Sequence, residues 1–138
     1  MQVRFNVWIE VEGEVALSLW RAALLEAIAR TGSISAAAAE RGVHFRVAWR
    51  KIKEMETRLG TRLVVGHTGG AGGGGASLTP AAEQLLHRFK AFAAGLDEEV
   101  QRRYRTHLAD VQLLSGDGSG AEEADCGAVS SPVGNHTR

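Results

Sequence analysis

Glycines at positions 32, 42 and 60 cut the first half of the chain into three segments, and the middle one has room for only two helical turns. In the first segment Leu17, Trp20, Leu24, Ala27 and Ile28 recur at helical spacing until Gly32 ends the run. Ser33 or Ser35 can cap a second helix through Ala36–Arg41, because a serine oxygen accepts the free amide hydrogens of a first turn. Gly42 provides the corner that follows. A third helix is expected from about His44 to Leu59, with Ala48, Ile52, Met55 and Leu59 on one stripe. Arg46, Arg50 and Lys53 lie on the opposite side at steps of four and three, and Lys51 adds a further cation. Phe45 and Trp49 are expected to pack against the first helix rather than to stack on bases.

The formal net charge of zero hides how the charge is distributed. Residues 1–40 balance at −2, whereas residues 41–67 hold Arg41, Arg46, Arg50, Lys51, Lys53, Arg58 and Arg62 against Glu54 and Glu56, a balance of +5. Residues 115–138 carry four acids against Arg138. One short segment is therefore a candidate surface for a polyanion.

The flanking segments have their own periods. Val3, Phe5, Val7, Ile9 and Val11 alternate with polar residues as in a half-buried strand, and Glu12-Gly13 offers a tight turn into a return strand near Glu14–Leu17. After the third helix, Arg62–Val65 is strand-like, and Ala76–Leu78 resumes an extended chain. Between them Gly66–Gly75 contains seven glycines in ten positions, the tip of a hairpin rather than part of a core. Thr79-Pro80 starts a helix, with threonine as cap and proline where its missing N–H costs nothing. Leu85, Phe89, Phe92, Leu96, Val100, Leu108 and Val111 then mark about thirty residues of helix, roughly 45 Å long at 1.5 Å per residue, with Gly95 a local weak point. A helix of that length needs a partner chain to cover it, so Leu85, Phe89, Phe92, Leu96 and Val100 are the expected dimerisation residues.

The expected fold is mainly α with small β: a winged helix-turn-helix with an N-terminal β-hairpin (1–17), a DNA-binding domain (18–79) whose glycine-rich hairpin is the wing, a dimerisation helix (80–112) and a disordered acidic tail (113–138). Such a domain binds double-stranded DNA, since a helix fits the major groove and cations on its flank neutralise phosphates. Ser33, Ser35, His44, Phe45, Arg46, Arg50, Lys51 and Lys53 are the candidate contacts from the helices, and His67, Thr68, Gly69 and Gly70 those from the wing. The glycine run also invites comparison with a nucleotide-binding loop, but no lysine follows it and a strand precedes the next helix. The five histidines lack metal-ligand spacing and Cys126 stands alone, so no catalytic set, metal or cofactor is expected. No apolar run is long enough to span a membrane, and no secretory signal opens the chain, which makes the cytoplasm the expected compartment. A protein-interaction module using the long helix and the acidic tail is the rival from another class.

The segment LLEAIARTGSISAAAAE (residues 24–40), followed by RGVHFRVAWRKIKEME, LVV and TGGAGGGGASLT, resembles the DNA-binding domain of ModE-type molybdate-responsive transcriptional regulators, relatives of the LysR-type winged helix. Ala48-Trp49 and the wing from Thr68 to Gly75 carry most of the specificity, and the resemblance covers roughly residues 2–110. It implies a homodimeric regulator binding an inverted-repeat operator and a link to molybdenum metabolism, with a winged-helix regulator of unrelated signal as the alternative. Family members commonly have Ser-Tyr-Lys at His44-Phe45-Arg46 and an arginine at Gly66, so base preference is expected to differ. The oxyanion-binding module of the family has no counterpart in this sequence, so direct molybdate binding is not expected.

Overall fold

Glu12 and Gly13 both take positive φ, 53° and 80°, and this two-residue turn closes a hairpin of β1 (Trp8–Val11) and β2 (Glu14–Ser18). The computed structural model describes residues 2–67 and 74–111. The strand expected over nine alternating residues is thus only four long. Its partner runs out: Trp8 pairs with Ser18, and Ser18 is already the cap of the next helix, accepting the Arg21 amide at 3.1 Å. Val3, Phe5 and Val7 keep their alternation as half-buried residues outside any strand, whereas Ile9 and Val11 are exposed.

Helix α1 (Leu19–Thr31) is the centre of the molecule. Leu24, Leu25, Ala27 and Ile28 are buried on it, and around them gather Leu17 of β2, Ala37 and Ala38 of α2 (Ile34–Glu40), and Ala48, Ile52 and Met55 of α3 (Phe45–Leu59). The corners at Gly32, Gly42 and Gly60 all lie at positive φ, where the helix spacing located them. The small Ala37 and Ala38 let α2 lie close between its neighbours, a site where larger side chains would force the helices apart.

The second hairpin, β3 (Val64–His67) and β4 (Gly75–Leu78), is antiparallel with Val64 opposite Leu78 and His67 opposite Gly75. Its base is fixed to the core: Leu63, Val64, Ala76 and Leu78 are buried, and the Ala76 amide donates to the Gly32 carbonyl at 2.8 Å. Gly75 tolerates this approach because a Cβ there would stand 3.0 Å from that same carbonyl oxygen. Of the tip expected over Gly66–Gly75, Gly66 and His67 belong to β3 and Gly75 to β4, while residues 68–73 lie outside the described residues, as does the tail.

The single long helix of the sequence reading is two helices. Thr79 caps α4 (Pro80–Ala93), its hydroxyl accepting the Ala82 amide at 3.2 Å, but the chain breaks at Ala94 and Gly95 before α5 (Leu96–His107). Gly95 takes φ 82°, a conformation that ends an α-helix and favours glycine, so the expected weak point is an interruption. On α4, Ala82 and Phe89 are buried in the protomer's own core, whereas α5 buries no residue and meets the N-terminal arm through Gln101, which donates to the Val3 carbonyl at 3.0 Å.

Candidate nucleic-acid interface

The basic segment 41–67 looks uniform in sequence; in the structure its charges fall into two groups. On the inner side of α3, Glu54 accepts a 2.7 Å bond from Arg21, whose side chain is 7% exposed, and lies 3.5 Å from Arg58 and 3.9 Å from Lys51. Burial opposes ionisation of Glu54, but the surrounding cations prevail and hold its carboxyl below the usual carboxylate range. Arg58 also donates to the Val15 carbonyl at 2.6 Å and pairs with Glu14, tying the helix to the N-terminal hairpin. Glu56 accepts the Leu63 and Val64 amides at 3.0 and 3.2 Å, satisfying backbone groups where α3 turns into the wing. Burial raises its pKa, but those amides and Lys53 at 3.0 Å outweigh that and leave it lowered.

On the outer side stand Arg46 and Arg50, both exposed, and no ion pair or hydrogen bond engages either side chain among the described residues. The same holds for exposed Arg62 at the root of the wing. Lys53 points the same way but is neutralised by Glu56 and lies 5.5 Å from the Trp49 ring centroid. Lys51 leans toward Glu54 and is largely covered. Arg41 lies 5.9 Å from the Trp20 ring.

Ser33 caps α2, accepting the Ala36 amide at 3.1 Å, while Ser35 is exposed within that helix. His44 is exposed at the cap position of α3 and makes no side-chain bond to its first turn. His67 meets Ser77 at 2.7 Å across the wing. Thr68, Gly69 and Gly70 lie outside the described residues. The expected packing of Phe45 and Trp49 on the first helix is corrected: their rings are 47% and 46% exposed, because α3 turns Ala48, Ile52 and Met55 inward and these two fall on its flank. Sequence reasoning missed the structural work of Glu54 and Glu56. The available signal was that both acids sit among cations at helical steps of three and four.

Of the dimerisation candidates, Phe89 is 4% exposed and Leu85 packs on the protomer core, so these two serve their own chain. Phe92, three residues on, is 56% exposed, and Leu96 and Val100 are half-buried.

Helices α2 and α3 packed about α1, with a hairpin anchored to the end of α1 and a cationic outer face on α3, define a winged helix-turn-helix DNA-binding domain. Residues 19–83 match the model for the bacterial regulatory helix-turn-helix protein, lysR family, and are a domain of that family. The chain is 49% identical over 76 residues to the molybdenum-pterin-binding protein MopB of Rhodobacter capsulatus, a match over 55% of this chain and 28% of that protein. It is 47% identical over 94 residues to the molybdenum transport protein ModE of Herbaspirillum seropedicae, over 68% of this chain and 35% of that protein. With the DNA-binding transcriptional dual regulator ModE of Escherichia coli K12 it shares 34% identity over 114 residues, 83% of this chain and 42% of the relative. The chain therefore spans well under half the length of these relatives. Among solved structures it is similar to ArgP from Mycobacterium tuberculosis (TM-score 0.47, 29% identity, 62% of this chain, 30% of that one). It is also similar to the CbnR_DBD–DNA complex (TM-score 0.48, 23% identity, 62% of this chain, 92% of that one). No helix among the described residues is long and apolar enough to cross a membrane.

Proposed function

We propose that this chain is a cytoplasmic transcriptional regulator linked to molybdenum metabolism, binding an inverted-repeat operator as a homodimer. The observation that carries the reading is the pair Arg46 and Arg50: exposed at the amino-terminal half of α3 and free of acids among the described residues, on a helix whose inner cations are paired. A helix that enters a major groove reaches base edges with its amino-terminal residues, where these two arginines lie. His44, at the cap of the same helix, together with Ser33, Ser35, His67 and the wing residues Thr68, Gly69 and Gly70, supplies the flanking phosphate contacts. The names of the molybdenum-associated relatives support the metabolic link.

Exposed Phe92 on α4 and Leu108 at the end of α5, and separately Trp8, Ile9 and Val11 on β1, support a second copy as a cover for apolar surface. The operator then carries two half-sites about one helical turn, roughly 34 Å, or a multiple apart. The test is selection of bound sites from genomic and randomised DNA, followed by affinity measurements against salt. With three to four cations per protomer on phosphates, log affinity falls against log salt with a slope between about −5 and −7 for the dimer. A slope near zero, or no recovered motif, refutes the reading. Calorimetry with molybdate and tungstate separates direct sensing from a signal received in another way.

A further inference from the structure

Phe45 and Trp49 stand one turn apart on the flank of α3 that adjoins Arg46, and neither is needed by the core. Lys53 extends the same row by another turn. Its ammonium lies 5.5 Å from the Trp49 ring centroid and 3.0 Å from Glu56, so the indole is braced on its carboxy-terminal side by a cation that is already neutralised. The row thus begins with two apolar surfaces, bordered on the outer side by two guanidinium groups that are unpaired among the described residues. In the major groove the arginines suit acceptor atoms such as guanine O6 and N7 or phosphate oxygens. The one apolar group that a base edge presents there is the 5-methyl of thymine.

We infer that Phe45 and Trp49 form an apolar ridge that recognises thymine through its 5-methyl group, an inference that rests on the DNA-binding reading above. The ridge adds a base preference that the arginines cannot supply, since a guanidinium gains nothing from a methyl group. Both aromatics belong to the first turns of α3, the part of such a helix that comes closest to bases.

The experiment uses the whole chain and a duplex recovered by site selection, with each thymine of one half-site replaced in turn by deoxyuridine, which removes the methyl and nothing else. Binding of the unaltered protein is expected to weaken about fourfold at one or two positions, the effect of one buried methyl-sized group. In Trp49→Ala or Phe45→Ala the same replacement is expected to cost nothing, because the surface that met the methyl is gone. Circular dichroism checks that both variants fold, and both positions are exposed. Indifference of the unaltered protein to every thymine-to-uracil exchange overturns the ridge, as does a penalty that persists in both variants. An effect of Trp49→Ala on self-association with base preference unchanged also overturns it, assigning the ring to a protein contact. Loss of all sequence-selective binding by the unaltered protein sinks the broader reading along with it, and only that outcome touches both.

Discussion

The two long sides of α3 carry comparable charge and use it in opposite ways. The side facing α1, β2 and the root of the wing holds Glu54, within ion-pair reach of Arg21, Lys51 and Arg58, and Glu56, which accepts the Leu63 and Val64 amides. The outer side holds Arg46 and Arg50 with no acid opposite them among the described residues. Inside, charge fastens helix to hairpin and helix to wing; outside, no described acid engages it, as the proposed DNA contact requires. The difference teaches that a count of basic residues locates a candidate surface only after the internally satisfied cations have been removed.

The largest expected effect tests whether the inner side carries the fold. Ile52 is almost fully buried, and Ile52→Ala removes several methyl-sized groups into a cavity, which should lower unfolding free energy by about 3 kcal/mol. Arg50→Ala, two residues away and on the outside, should change it by no more than about 0.5 kcal/mol. Urea unfolding followed by circular dichroism measures both. Equal losses would erase the division between the two sides.

Next in size is the inner ion network. Glu54→Ala leaves the buried Arg21 guanidinium, one nitrogen of which already lacks a partner, without its acid, and about 2–3 kcal/mol of stability should go with it. Glu54 and the separately held Glu56 both set a pH dependence. Glu54 and Glu56 have folded-state pKa values below the ordinary 4.5, so their contribution is fully present above that pH and is lost as pH falls through the lowered values. Glu56→Gln should therefore flatten the acid limb of the stability curve while leaving base preference intact. An unchanged limb would mean that Glu56 is held no better in the folded chain than in the unfolded one.

Most of the inner side was legible because it is written in period and punctuation. Ala48, Ile52 and Met55 fall on one stripe, and the glycines at 32, 42 and 60 mark the corners that the structure shows. The break at Gly95 was visible only as a weak point, since a glycine within a helical period lowers propensity without fixing whether neighbours restore the turn. Phe89 and Phe92 illustrate a deeper limit. They are three residues apart with ring centroids at 6.0 Å, yet one fills the core and the other faces outward. Periodicity says that both lie near an apolar face; where that face ends is decided by Leu85, Ala82 and α1 in three dimensions. The first strand failed for a related reason, as alternation continues through Val3–Val7 beyond the length of the strand that could pair with it.

Ser33 and Ser35 repeat the contrast on a smaller scale. Ser33 accepts the Ala36 amide at 3.1 Å, so Ser33→Ala should cost about 1 kcal/mol, whereas exposed Ser35→Ala should cost nothing measurable. A serine that only caps leaves DNA affinity unchanged once stability is corrected for. One that also donates to phosphate weakens all sequences alike.

The smallest expected change in stability gives the sharpest division on DNA. Arg46→Ala removes an unpaired, exposed side chain, so unfolding should move by less than about 0.5 kcal/mol. Lys53→Ala breaks a half-exposed pair with Glu56 and should cost no more than about 1 kcal/mol. Their effects on binding should separate more clearly. Arg46 is free to take a base edge, so its loss should reduce discrimination between the selected site and scrambled DNA. Lys53 must share its charge with Glu56 before it can meet a phosphate, so its loss should weaken both DNAs equally and by less than the loss of Arg50. Competition titrations on the two duplexes measure the ratio directly. If Lys53→Ala changed discrimination while Arg46→Ala did not, the outer side would begin at Trp49 and Lys53, and the unpaired arginines would be solvated charge and nothing more.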